Sequence, residues 1–161
     1  MRIYEVKTRT ALSHIAHPLL IFGMNKPGNQ GLTGIIMPKL HETTVDYIEQ
    51  PMRLASTKMK DILCTHELRI KTRPISFFNP NTNESFRYWD FQPQRQFVLH
   101  ETLTNPQLAD KPILNRSMVK HYNIFTVVGL SPDRWFITLP VLEALYRHEI
   151  IGFEVREVEL K

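Results

Sequence analysis

The sequence contains a single cysteine, Cys64, and its longest apolar run is the four residues from Leu19 to Phe22. One thiol excludes an internal disulfide and any cysteine-rich zinc site. Four residues fall far short of the roughly 20 needed to span a bilayer. The N-terminus, Met1 to Lys7, alternates polar and apolar residues like a strand and lacks the apolar core of a secretory signal. A cytoplasmic, soluble, thiol-reduced protein is expected. Glycine is missing between Gly34 and Gly129, so the intervening turns fall to Pro38, Pro51, Pro74, Pro80, Pro93, Pro106 and Pro112 with their Asn and Asp neighbours. Prolines at these intervals forbid a long helix from 38 to 112 and exclude a helical bundle. There is no low-complexity tract and no repeat of solenoid period.

Leu, Ile, Val and Phe make up 49 of the 161 residues. That fraction lies well above the roughly 20% below which chains stay disordered. The length is that of one domain, 1–161. Two helices are legible. Ser56 or Thr57 can cap a first turn, after which Met59, Ile62 and Leu63 recur at i, i+3, i+4. Thr138 precedes Pro140, whose missing N–H costs nothing in a first turn, and Leu142, Leu145 and Tyr146 repeat the pattern. Each helix feeds a strand: 68–71 with 75–78, and 153–160. The apolar positions Phe153, Val155 and Val158 slip by one, which suggests a bulge or a change of facing near Arg156–Glu157. Further β-prone runs cover 2–8, 35–37, 45–48, 86–91, 96–99, 113–114 and 123–128. Residues 25–34 read as a mobile glycine-rich loop. The sum is an α+β fold, a mostly antiparallel sheet with two or three short helices. The two helix–strand units match at an offset of 82, with Ser56/Thr138, Met59/Val141, Leu63/Leu145, His66/His148, Glu67/Glu149 and Leu68/Ile150 in register; the match is short, and a shared plan of a capped helix feeding a strand accounts for it as well as duplication does.

The net charge is +4, but it is uneven. Residues 53–73 hold Arg53, Lys58, Lys60, Arg69, Lys71 and Arg73 against Asp61 and Glu67. Such a stretch invites an acidic partner or a phosphate backbone. Catalytic chemistry finds no motif. His14 and His17 lack an acidic or cysteine partner nearby, and Pro18 argues against the helix that would align them. Gly28, Gly31 and Gly34 are not followed by a helix N-terminus, so they do not make a phosphate loop. His66-Glu67 and His148-Glu149 lack the second histidine of a zinc hydrolase. His66 does not face Cys64 on a helix. His100 with Glu101, or His121 with Asp133, are the pairs left for a site assembled in space. No cofactor and no metal are expected.

The aromatic run carries the most functional weight. Phe86, Tyr88 and Asp90 point to one face of a strand, and Arg87, Trp89 and Phe91 to the other. Arg87, Tyr88, Trp89, Phe91 and Arg95 are the candidate partner-binding residues, because Trp, Tyr and Arg dominate interface hot spots. The same side chains can stack on bases, and they can equally fill a core if both faces are covered.

From about residue 54 to the end, the order of features resembles the Imm11 family, immunity proteins of bacterial polymorphic toxin systems. The resembling pieces are the capped helix from Ser56 to Leu63, Ile75–Pro80, Phe86–Phe91, and the closing Trp135–Thr138, helix, Gly152 and strand. The resemblance implies a non-enzymatic cytoplasmic inhibitor that binds one cognate toxin effector, with residues 54–161 as its core and 1–50 as a distinct N-terminal part. It carries over no catalytic residue and leaves the oligomeric state open. The rival reading is a small nucleic-acid-binding module that uses 53–73 as a phosphate track.

Overall fold

Alternating apolar positions punctuated by Asn and Pro turns form strands. The computed structural model describes residues 1–9, 32–35, 45–49, 52–79, 83–100 and 110–161. The fold is α+β with mostly antiparallel pairing, but the strands build two sheets rather than one. The first sheet runs in the order β7 (Arg95–Gln96), β9 (Ile124–Val127), β10 (Trp135–Thr138), β1 (Ile3–Thr8), β11 (Phe153–Leu160) and β8 (Ile113–Leu114). The second runs β2 (Leu32–Ile35), β5 (Lys71–Asn79), β6 (Glu84–Gln92), β4 (Leu54–Ser56) and β3 (Tyr47–Ile48). Three pairs are parallel: β7 with β9, β8 with β11, and β2 with β5. The helices are α1 (Thr57–His66), the short α2 (Arg116–Val119) and α3 (Leu139–Arg147). None of the described helices is long and apolar enough to cross a membrane.

The helix starts follow the expected capping. The Ser56 hydroxyl accepts from the Met59 N–H at 3.1 Å and donates to Asp46 Oδ1 at 2.6 Å. Thr138 stands at the α3 N-cap, but its side chain makes no cap bond, and Pro140 occupies the first turn instead. Two local expectations are corrected. Leu32–Gly34, read as loop, belong to β2, while residues 25–31 lie outside the described set. Residues 68–70 form the turn after α1, and β5 runs unbroken through Pro74. Among the described residues, β2 pairs with residues 75–78 of β5, and Pro74 stands one position ahead of that ladder.

The two sheets repeat one plan. In each, an antiparallel pair (β3–β4, β9–β10) leads into a helix (α1, α3). The helix returns as a long strand (β5, β11) with a parallel partner on its outer edge (β2, β8). A central strand then fills the gap: β6 in the second sheet, β1 in the first. Because β1 comes from the N-terminus, the first-sheet unit is closed by the other end of the chain. The offset of 82 is the spacing of the helix starts at Thr57 and Leu139. Registers agree residue by residue. Leu54, Ala55 and Ser56 face Asp90, Trp89 and Tyr88; Phe136, Ile137 and Thr138 face Glu5, Tyr4 and Ile3. Asp90 and Glu5, both buried, therefore hold the same place in their sheets.

One core joins the two units. It collects Tyr4, Val6, Ile137 and Phe153 from the first sheet, Tyr47, Ala55 and Phe91 from the second, and Met59, Leu63, Val141 and Leu145 from the helices. Trp135 lies 5.0 Å from Phe91 and 5.7 Å from Tyr47 between ring centroids, and its indole N–H donates to the Tyr47 hydroxyl at 2.9 Å. The opposite faces pack separate cores, around Phe125 and Phe136 in one sheet and Phe77 and Tyr88 in the other. This explains the slipped pattern of β11 without a bulge. Its pairing with β1 is continuous from Phe153 to Val158, while Phe153 and Val155 face the shared core and Val158 and Leu160 face the outer one.

Gly152 holds the turn between α3 and β11 against β3. Its φ is +103°, and a Cβ there would stand 2.9 Å from the Tyr47 carbonyl oxygen and 3.0 Å from Val45 Cβ. Strain and overlap act together, so Gly152→Ala is expected to cost about 3 kcal/mol. Urea unfolding monitored by tryptophan fluorescence checks this; a loss below about 0.5 kcal/mol contradicts it.

Candidate binding groove

Strand β6 distributes the predicted contact residues over different environments. Arg87 is exposed. Tyr88 is buried in the outer core, with its hydroxyl donating to the Val45 carbonyl at 2.7 Å. Phe91 is buried in the shared core. Trp89 is half-buried under α1: its N–H donates to Thr57 Oγ1 at 3.1 Å, and the Lys60 ammonium sits 4.6 Å from its ring centroid. The expected outward face of Arg87, Trp89 and Phe91 is thus covered from Trp89 onward. Tyr88 and Phe91 do not reach the surface as contact residues, because both faces of the strand pack against a core.

What the structure brings together lies where the chain leaves β6 in one sheet and enters β7 in the other. A groove of about 420 Å³ opens there, bordered by Arg53, Arg73, Asp90, Phe91, Arg95 and Asp133 among others. A smaller hollow of about 200 Å³ at Lys71 and Thr72 shares Arg73 and Asp90 with it. Each arginine is placed by a different element. Arg53 precedes β4 and lies over the Phe91 ring, 5.5 Å from its centroid, while its terminal nitrogen donates to the Pro132 carbonyl at 2.5 Å. Its Nε is buried without a hydrogen-bond partner. Burial pulls the Arg53 pKa below its usual value, against the opposing fields of the Asp133, Asp90 and Glu49 carboxylates. Arg73 donates to Asp90 Oδ2 at 2.9 Å, and Gln92 donates to the same oxygen at 3.3 Å. Arg95 is exposed and makes no ion pair among the described residues. Of the candidate residues, Phe91 and Arg95 reach this groove and Arg87, Tyr88 and Trp89 do not border it. Arg53 and Arg73 were visible only as the two ends of the basic stretch, and Asp90 and Asp133 carried no sequence signal for this place.

Other candidates separate in space. Among the described residues, no group of three or more His, Cys, Asp or Glu is placed to hold a metal ion. His14, His17, Gly28, Gly31 and Glu101 lie outside the described residues. His121 and Asp133 are both exposed and are not bonded to each other; Asp133 accepts from Ser131 at 3.4 Å. Glu67 is buried and paired with Arg69 at 2.9 Å. Burial pushes the Cys64 thiol up, away from the reactive thiolate. Neither comparison with protein-family models nor comparison with curated proteins gives a match.

Tyr88 yields a pH prediction. Burial, and secondarily the Asp46 carboxylate, push its pKa from 10.0 up to about 12. The raised value favours the neutral phenol in the folded state. Its stabilisation is complete below pH 10 and is lost as pH rises towards 12, an effect of about 2–3 kcal/mol. Tyr88→Phe is expected to cost about 1–2 kcal/mol at pH 8, because the Val45 carbonyl loses its donor. It should also flatten the fall in stability between pH 9 and 11. Urea titrations across that range check both; parallel profiles for the two proteins contradict the assignment.

Proposed function

We propose that this chain is a non-catalytic immunity protein, which neutralises a cognate toxin effector in the cytoplasm of the producing cell by direct contact. The observation that carries this reading is the arginine-bordered groove. Arg53, just ahead of β4, Arg73 in β5 and Arg95 in β7 border one opening. Arginine is over-represented at interface hot spots, and its planar fork suits carboxylate recognition. The Phe91 ring beneath Arg53 holds that guanidinium in place. A basic contact surface fits a toxin with an acidic or neutral docking face.

The distribution of charge and aromatics speaks for a protein partner over a nucleic acid. The stacking platforms are occupied: Tyr88 is buried, and Lys60 lies on the Trp89 ring. Within 53–73, Lys60 pairs with Asp61, Arg69 with Glu67 and Arg73 with Asp90, so the stretch does not present six unpaired cations to a phosphate backbone.

Expression of the chain beside the toxin domain encoded next to it is expected to restore growth, and the two proteins should co-purify at equal stoichiometry in moderate salt. Toxicity unrelieved by the chain overturns the proposal. So does tight oligonucleotide binding that falls steeply as salt rises, because that dependence marks phosphate contacts.

A further inference from the structure

The groove has an internal counterpart that shows what it lacks. Arg156 lies opposite Glu5 in the first sheet as Arg73 lies opposite Asp90 in the second. Arg156 donates to Glu5 at 2.7 Å, and Arg73 donates to Asp90 at 2.9 Å. Beyond these pairs the two places differ. A second arginine, Arg134, donates to the other oxygen of Glu5 at 2.5 Å. Asp110 is then laid across both arginines. Its backbone carbonyl accepts from Arg134 at 3.2 Å and also from Arg156, and its carboxylate stands 3.5 Å from Arg156. In the first sheet, two guanidiniums thus face two carboxylates and a carbonyl.

At Asp90 no described residue plays the part of Asp110. The Arg73 side chain is 45% exposed and pairs with a single carboxylate. Arg53 keeps a buried Nε without an acceptor. Arg95 makes no ion pair among the described residues. Three guanidiniums border an open groove in which Asp90 and Asp133 are the only carboxylates among the described bordering residues. We propose that the groove seats an acidic segment of a partner protein, in which an aspartate or glutamate carboxylate and a neighbouring backbone carbonyl meet Arg53, Arg73 and Arg95 as Asp110 meets Arg134 and Arg156. The inference rests on the reading of the chain as a protein binder and names what the partner presents.

The chemistry favours a carboxylate over a phosphate. Guanidinium and carboxylate are planar and match in two parallel hydrogen bonds. A single negative charge suits a surplus of one cation, three arginines against two aspartates; a dianion is repelled more strongly by Asp90 and Asp133.

The test is a titration followed by nitrogen-15 NMR, reading the arginine Nε–H signals of the whole chain. The probes are the blocked peptide acetyl-Gly-Ala-Asp-Ala-Gly-amide, which carries one carboxylate, its Asn counterpart, and inorganic phosphate. The acidic peptide is expected to shift the signals of Arg53, Arg73 and Arg95, and to bind at least tenfold more tightly than the Asn peptide. Arg95→Glu should weaken it by tenfold or more with an unchanged melting temperature, since Arg95 has no ion pair to lose; Arg53→Gln should weaken it similarly. Equal binding of the two peptides overturns the inference, as does tighter binding of phosphate or a pattern of shifts scattered over other basic residues. A toxin held equally well by the wild-type chain and by the Arg53→Gln, Arg95→Glu double variant overturns the groove while leaving the immunity reading intact. Groove binding of the acidic peptide by a chain that relieves no toxin supports the groove and overturns that reading alone.

Discussion

The hydrogen bond from the Trp135 indole to the Tyr47 hydroxyl is the tie on which the rest of the structure depends. Trp135 belongs to the first sheet and Tyr47 to the second, and both side chains are fully buried. A buried indole N–H or phenol without a partner is costly, so each fixes the position of the other. Burial pushes the Tyr47 pKa well above its usual value, which keeps the phenol neutral. Phe91 packs edge-on against Trp135 and in turn carries Arg53. A chain of contacts therefore runs from the centre of the core to the rim of the groove. The groove residues are held by packing rather than by their own loops.

The repeated plan puts a carboxylate at the centre of each sheet, and the two are finished in different ways. A buried charge is tolerated only when it is paired and hydrogen-bonded. Glu5 meets that demand with two arginines, which are themselves covered by Asp110. Asp90 meets it with one arginine and Gln92. In the register that gives Arg134 to the first sheet, the second has Met52, one residue ahead of Arg53 and on the groove wall. The same backbone frame thus supports a closed ionic cluster in one half and an open one in the other. The open one borders the groove at the crossing between the sheets.

Local patterns in the sequence carried much of this. The N-cap at Ser56 and the apolar spacing of Met59 and Leu63 place α1, while Pro140 in the first turn and the apolar spacing of Leu142 and Leu145 place α3. Their offset of 82 left open whether the two are equivalent units or only two capped helices that each feed a strand. The closure of the first-sheet unit by β1 was not legible, because the pattern of a strand does not say which distant strand it pairs with. The two faces of β6 were separable by parity, yet parity does not say that α1 covers Trp89 or that Phe91 enters a second core. The slip at Arg156–Glu157 left a bulge and a change of facing both open, because an apolar pattern that changes face is ambiguous between a bulge and a strand buried on both sides. The groove was hidden for a simpler reason: its residues come from positions 52–53, 73, 90–95, 126 and 132–133, and only the fold makes them neighbours.

Net charge gives a poor guide to where such a protein makes contact. Three cations of the basic stretch are neutralised by carboxylates within it or opposite it: Lys60 by Asp61, Arg69 by Glu67, and Arg73 by Asp90. Exposed pairs of this kind add little to stability, but they remove the stretch as a continuous source of field. The field that matters for recognition is the one left where cations outnumber carboxylates in a partly desolvated place, since screening by salt is weakest there. Arg53 meets that condition: it is half-buried, stacked on Phe91 and short of one acceptor. A residue held in that state in the absence of any ligand loses little freedom on binding one, and such preorganisation converts a small patch into a selective contact.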